Sequence, residues 1–321
     1  MAGVSAVIIT RNRKEALGLV LDRLAELPVD EVIVVDNGST DGTAGAVRER
    51  VRLLEPGENL GLAGRNLAAA ETRGELLLML DDDSYPLPGA VEALVAAFGA
   101  NPRLGVAGGL VRDVDPDGHV LRQDELGTFD WLLRAGRKGE APEGLPAFSF
   151  PEGACVIRRS AYEEAGGFFE PFFLGSSEVD LAARLTALDW EVRYFPAAPF
   201  DHLKADPERQ TADVNLYYRI RNHLWYLWLR FPASIAARRT VGYLAFDLVE
   251  STYRRAPSAW WRAVRDAWRM RELVRDERHP LPRAALRRAE LNRGRMHVRL
   301  LAGQLAKKMR LGPYLGRKGG M

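Results

Sequence analysis

The sequence predicts an α/β fold: a mostly parallel central sheet with helices on both faces, followed by a helical C-terminal region. Three observations carry this. Short apolar runs of buried-strand type alternate with segments that repeat leucine at helical spacing. Three of the apolar runs end at a polar residue, Thr10, Asp36 or Asp81, on the edge where open parallel sheets collect ligands. Beyond about residue 205 the strand-like runs stop, and the chain reads as helix.

Val4 to Thr10 is the first strand, and residues 14–27 follow as a helix with Leu17, Leu21 and Leu24 on one face. Glu31 to Val35 is the second strand. It leads through the turn Asp36-Asn37-Gly38-Ser39 to a helix over Ala44 to Arg50, which Ser39 or Thr40 could cap. Val51 to Leu54 is a third strand and Leu67 to Thr72 a helix. Glu75 to Leu80 is a fourth strand, ending in Asp81-Asp82-Asp83. From about residue 105 the pattern loosens. Gly105 to Val111 reads as a strand, Asp113 to Gly118 as a turn and Gly127 to Leu145 as loop. Pro151 to Arg158 leads into a helix at Ser160 to Ala165. A further helix over Glu178 to Leu188 precedes a strand at Glu191 to Phe195. No repeat of fixed period is visible.

At 321 residues, 47% hydrophobic and 27% charged, the chain suits one large globular domain with an appendage, or two domains. Its one cysteine, Cys155, excludes an internal disulfide, makes a thiolate zinc site unexpected and fits a reducing cytoplasm. The start has no signal-peptide pattern, and no run reaches the roughly 18 apolar residues of a spanning helix. A cytoplasmic protein is expected. The net charge of +2 hides an asymmetry. Residues 1–203 hold 19 basic and 33 acidic residues, and residues 204–321 hold 26 and 10. The acidic front argues against nucleic acid as a partner. The basic end permits a phosphate-bearing or membrane-surface partner.

Three aspartates after an apolar run are the strongest chemical signal. Side chains alternate along an extended chain, so Asp81 and Asp83 should point one way and Asp82 the other. Two hard carboxylates at that spacing suit Mg²⁺ or Mn²⁺ bridging a nucleotide diphosphate. A solvated acidic turn is the competing reading; the position at a strand end beside Asp36 favours a site.

At this point a family resemblance enters. Ala6 to Arg13, Val34 to Thr43, Asn59 to Asn66 and Leu80 to Asp83 resemble, in order and spacing, the signature segments of family 2 glycosyltransferases, among them bacterial rhamnosyltransferases. The likeness covers about residues 4–230. It implies the GT-A fold (a Rossmann-like sheet), a nucleoside-diphosphate sugar donor and inversion at the anomeric carbon. It further implies a catalytic domain over 1–205, with a nucleotide-sugar half to about 105 and an acceptor half after it, and a helical region over 206–321.

Carried over by residue, Thr10, Arg11 and Asn12 would lie against the base, with Asp36 and Asn37 at the base or ribose. Asp81 would lie near the ribose or metal, Asp83 would ligate the metal, and Asp82 would be the variable middle residue of the nucleotide-sugar site. Asp36 could instead be a plain turn residue. Arg65 and Asn66 would contact the diphosphate or first sugar, or else start the following helix. The stretch Glu152 to Arg159, then Gly166-Gly167-Phe168, resembles the acceptor side, with Cys155 as a packed apolar residue. In Ser176-Ser177-Glu178-Val179-Asp180, Ser177 stands where the family has glutamate and Glu178 where it has aspartate. Glu178 is therefore the expected base, with Asp180 the runner-up, and an ordinary helix-start acid the plain alternative. His202, in Phe200-Asp201-His202, could complete a carboxylate-plus-histidine metal site, although a lone histidine is often structural.

UDP is the default nucleotide, with dTDP next as dTDP-rhamnose. The acceptor could be a lipid-linked or cell-surface glycan precursor or a small molecule. A sugar nucleotidyltransferase would need glycines that Thr10-Arg11-Asn12-Arg13 lacks. A non-catalytic nucleotide-sugar-binding module is kept open by the changed Ser177-Glu178 pair. Near the C-terminus, Trp261, Val264 and Trp268 share one helix face, with Arg262, Arg265 and Arg269 beside it. That helix could pack on the catalytic domain, pair with a second copy in a homo-oligomer, or lie peripherally on an anionic membrane.

Overall fold

The computed structural model describes residues 2–123, 143–204 and 212–290. Most of the loop expected at Gly127 to Leu145 lies outside the described residues. The first half follows the expected alternation: β1 (Val4–Thr10), α1 (Lys14–Leu24), β2 (Glu31–Asp36), α2 (Thr43–Val47), β3 (Arg52–Leu54), α3 (Gly64–Glu71) and β4 (Leu76–Asp81). Next come β5 (Ser84–Pro86), α4 (Ala90–Ala100), β6 (Leu104–Val114), β7 (Val120–Gln123), β8 (Leu145–Pro146), β9 (Ala154–Arg158) and α5 (Arg159–Glu164). Then follow α6 (Ser177–Ala187) and β10 (Glu191–Leu203). The C-terminal helices are α7 (Ala212–Arg230), α8 (Ala233–Tyr253), α9 (Pro257–Arg269), α10 (Glu272–Arg275) and α11 (Arg283–Glu290).

The sheet runs β3-β2-β1-β4-β9-β6-β10-β5. Its first four strands are parallel. β4 is apolar up to Asp81 and β1 is apolar apart from Ser5 and its final Thr10, because both faces are covered; buried Ser5 Oγ donates to Glu31 and accepts from Gly74 N. Val4, Ala6, Ile8, Leu76, Leu78 and Leu80 enter one core with Leu17, Leu21 and Leu94; Val7, Leu77 and Met79 enter another with Ala68, Tyr162 and Leu181. The period of two divides each strand between α1 and α4 on one side and α3, α5 and α6 on the other.

The second half is mixed rather than parallel. β9 runs antiparallel between β4 and β6, where the sequence suggested only a lead-in to helix. Cys155 lies on β9, fully buried, and burial pushes its thiol pKa up. β10 runs well past the expected Phe195. After an irregularity between Phe195 and Pro199 it pairs again with β6, setting His202 opposite Asp113 and, across β5, Ser84. His202 is therefore on a strand and not in a loop.

A third core joins the C-terminal helices to the catalytic part: Leu224, Trp225, Leu227, Ala263 and Ala267 pack with Phe172, Val179 and Ala183. No helix among the described residues is long and apolar enough to cross a membrane.

Candidate active site

Thr10, Asp36 and Asp81 end three adjacent parallel strands in register, Thr10 opposite Asp36 and Ile9 opposite Asp81. The aspartate triplet, however, does not stay extended. Asp82 and Asp83 form a turn, held where Asp81 N donates to Ser84 Oγ at 2.9 Å and Ser84 Oγ donates to the Gly153 carbonyl at 2.5 Å. Leaving the strand breaks the alternation, so Asp81 and Asp83 acquire different partners. Asp82, expected to point away from Asp81 and Asp83, is buried, accepts from Thr10 Oγ1 at 2.9 Å and lies 3.5 Å from Arg13 Nε.

Asp81 faces Arg65, whose Nη2 donates to it at 2.6 Å. Arg65 is fully buried, and among the described residues its Nε and Nη1 have no hydrogen-bond partner. Its second carboxylate neighbour is Glu152, 3.9 Å away. The Asp81 side chain is 44% exposed, so this anchored carboxylate is open to a ligand. Gly153 makes room for it: a Cβ there would stand 2.1 Å from Asp81 Oδ2.

Asp83 meets an arginine and a histidine. Arg13 Nη2 pairs with Oδ2, and His202 Nε2 lies 3.5 Å from Oδ1. His202 Nδ1 pairs with Asp113 Oδ1 at 2.9 Å. The Asp83 and Asp113 carboxylates raise the His202 pKa against the opposing effect of burial. A carboxylate on Nδ1 turns Nε2 outward, the usual support of a metal-ligating imidazole. Two ligands at right angles on a cation with bonds of about 2.1 Å stand roughly 3 Å apart, close to the observed pair. Asp83 and His202 thus fit Mn²⁺ or Mg²⁺, and Asp81, anchored by Arg65, presents its exposed carboxylate on the same turn. Another carboxylate-histidine group, Asp115, Asp117 and His119, is a half-exposed to exposed hairpin turn bonded within itself.

The other expected nucleotide contacts divide. Asp36 is buried; Oδ1 accepts from Ser39 N at 2.6 Å as a turn residue does, while Oδ2 has no hydrogen-bond partner among the described residues. Arg11 is exposed at the rim. Asn12, at φ 54°, receives Thr40 N at 2.7 Å and donates its own N–H to Ser39 Oγ at 2.8 Å. Ser39 therefore does not cap α2, whose N-cap is Gly42. Asn37 is buried and ties the strand end to the next loop, donating to the Gly61 carbonyl at 3.1 Å and accepting from Leu60 N at 3.2 Å. Asn66 spends its amide on the Phe168 carbonyl at 2.8 Å, Phe168 N at 2.9 Å and the Tyr162 hydroxyl at 2.5 Å. Both side chains thus tie loops together, and each keeps an amide N–H beyond these bonds.

The segment around Glu178 is held from outside. Glu152 Oε1 accepts from Ser177 Oγ and from Glu178 N (3.0 Å), so a glutamate far away in sequence caps α6. Glu178 lies half-buried in the first turn. Asp180 is fully buried between Arg184 Nε at 2.8 Å and Arg230 Nε at 2.5 Å. Burial alone would raise its pKa, but the two arginines outweigh that and lower it. The preceding loop carries Phe173 and Ser176 at positive φ. Asn222 of α7 lies 2.7–2.8 Å from the carbonyls of Phe172, Leu174 and Gly175. Asn222 and Arg230 thus brace α6 from both sides of Glu178. On its other flank, the Phe173 carbonyl accepts from Leu62 N at 2.8 Å, joining the donor-side loop to this one.

Arg13, Asp113, Glu152, Asn222 and Arg230 were not singled out as site residues by the sequence. Arg13 and Glu152 lay inside segments that resemble the family, without a role of their own; Asp113, Asn222 and Arg230 become neighbours of the site through folding.

Fold and site together define a glycosyltransferase with a GT-A fold that uses a nucleotide-sugar donor. The chain belongs to glycosyl transferase family 2, whose family model matches residues 5–166. It is 30% identical over 275 residues to an N-acetylglucosaminyl-diphospho-decaprenol L-rhamnosyltransferase of Mycobacterium tuberculosis, covering 74% of this chain and 88% of the relative. Among solved structures, GalNAc-T7 with UDP, GalNAc and Mn²⁺ superposes with a TM-score of 0.63 at 13% identity, covering 91% of this chain and 57% of that one, a little over half its length. A mannosyltransferase of Pyrobaculum calidifontis with GDP-Man and Mn²⁺ gives 0.55 at 20% identity, covering 96% and 81%.

Proposed function

We propose that the enzyme transfers a deoxyhexose, L-rhamnose, from a dTDP- or UDP-linked donor to a hydroxyl of a polyprenyl-diphosphate-linked sugar, with inversion, in the cytoplasm. The observation that carries the transfer chemistry is the Asp83–His202 pair at the strand edge, braced by Asp113 and lying beside the aspartate turn. The rhamnosyl donor and lipid-linked acceptor rest on the relative matched over 88% of its length.

The acceptor oxygen attacks the anomeric carbon as Glu178 takes its proton, and the bond to the nucleoside diphosphate breaks. Asp83 and His202 would hold Mn²⁺ or Mg²⁺, which when bound offsets charge on the leaving diphosphate. Arg13 and Arg65 supply fixed positive charge at the same edge. The free Oδ2 of Asp36 accepts a hydrogen bond from the base or ribose. Asp180, the second base candidate, is a positioning residue here. A carboxylate held ionised by two arginines is a poor proton acceptor.

Purified protein is incubated with dTDP-, UDP- and GDP-sugars, with and without Mn²⁺, and nucleoside diphosphate release is followed with a polyprenyl-diphosphate acceptor present. Metal-dependent release from dTDP-rhamnose or a UDP-sugar, lost in Asp83→Ala and Glu178→Gln, is expected. Equal release without metal, or full activity in Glu178→Gln, would overturn the assignment of roles.

A further inference from the structure

We infer that the outward face of α9, carrying Trp261 and Trp268, docks on an anionic lipid surface. The inner face of α9 already meets the helix's packing needs. Ala259, Trp260, Ala263 and Ala267 are buried, and Trp260 Nε1 donates to the Leu244 carbonyl at 3.1 Å. Trp225 of α7 likewise donates to the Ala267 carbonyl at 3.1 Å. Core formation therefore does not account for the two outer tryptophans, which are 66% and 63% exposed and lie seven residues apart on one face.

The patch extends beyond one helix. Trp268 stands edge-on to Trp228, ring centres 6.5 Å apart, and Arg271 lies over its ring at 4.8 Å. Trp228 donates to Thr240 Oγ1 at 3.0 Å, and the next residue of α8, Val241, is 70% exposed. An exposed apolar patch of this kind marks an interaction site.

Charge selects the occupant. Residues 233–271 contain eight arginines and three acids. The acids are taken up locally: Asp247 and Glu250 by Arg219, Glu250 also by Arg254, and Asp266 by Arg265 and Tyr217. Arg269 and Arg271 stand exposed beside the tryptophans, as does Arg262, 4.0 Å from Asp213 of α7. A second copy would lay this positive face against itself in a two-fold contact. An anionic bilayer complements it: indole rings settle at headgroup depth while arginine heads meet lipid phosphates. The inference does not depend on which sugar or acceptor the enzyme uses.

Full-length protein is co-sedimented with vesicles of phosphatidylcholine alone and of phosphatidylcholine mixed with phosphatidylglycerol, in low and high salt. Binding to the anionic vesicles only, weakened by salt, is expected. Trp261→Ala/Trp268→Ala and Arg262→Glu/Arg269→Glu should each reduce partitioning about tenfold or more with an unchanged unfolding temperature. Absence of binding by folded wild type overturns the inference, as does binding that both variants retain. A wild-type dimer in sedimentation equilibrium that the tryptophan variant dissociates would assign the face to self-association instead and equally overturn it.

Discussion

Arg230 Nε donates to Asp180 Oδ1 at 2.5 Å across fifty residues of chain, in a pair withdrawn from solvent. This contact fastens the C-terminal helices to the helix that presents Glu178. Without α7 the buried Asp180 carboxylate would keep Arg184 and lose the hydrogen bonds from Arg230. We expect Arg230→Met to cost about 1.5–3 kcal/mol, because it removes charge-assisted hydrogen bonds from a buried carboxylate that keeps Arg184. Urea unfolding of the full chain measures it, and a cost under about 1 kcal/mol would show that Arg184 alone suffices.

The same pair sets an acid limit. The Asp180 pKa is lowered in the folded state by Arg184 and Arg230, which outweigh its burial. The unfolded carboxyl titrates near about 3.9, so its contribution is full above that pH and is lost as pH falls through the lower folded value. Wild-type stability should therefore drop below about pH 4 more steeply than that of Asp180→Asn. Parallel acid limbs would place the sensitivity in other carboxylates.

Asp113 reaches the reaction only through His202. Asp113→Asn should lower metal affinity and metal-dependent turnover by about 10- to 100-fold, as loss of a carboxylate supporting a ligating histidine does. Direct Mn²⁺ titration checks it; unchanged affinity would make the Asp113–His202 pair structural.

Glu178→Gln should lower kcat by about 10²–10⁴ with little change in donor KM, since a base acts on the proton and not on the donor. If Glu152→Gln gave the larger kcat loss, with melting behaviour intact, the base would be the capping glutamate.

Gly153→Ala places a methyl 2.1 Å from Asp81 Oδ2, and Gly61→Ala places one 2.3 Å from the Phe173 carbonyl at a φ of 58°. Each should destabilise by about 1–3 kcal/mol. The first should also weaken donor binding, since it displaces the anchored Asp81 carboxylate. Thermal melts with and without nucleotide separate the two effects.

How much was readable followed from how local each feature is. The parallel strands and their helices were legible because a strand buried on both faces must be apolar throughout. Asp36 and the aspartate triplet were legible because they end such strands. β9 was missed because a five-residue apolar run before a helix carries no sign of where it inserts in a sheet. The length of β10 was missed because Pro196 and Pro199 interrupt the strand-like run after Phe195, yet the strand resumes beyond them on β6.

Asn37 and Asn66 looked like ligand contacts because amide side chains in glycine-rich loops serve ligands and backbone equally well. Only the placement of Gly61, Tyr162 and Phe168 shows which protein groups they hold.

By itself, then, the sequence determined the fold class, the family signatures and the strand-end carboxylates, since these depend on residue type and short-range periodicity. Tertiary structure decided which charges meet. Arg13 rather than Arg11 turns onto Asp82 and Asp83, Asp113 backs His202, Glu152 caps α6 and Arg230 holds Asp180. Coulombic and hydrogen-bond partners depend on distance in space, and residues fifty or ninety positions apart acquire a distance only when the chain has folded.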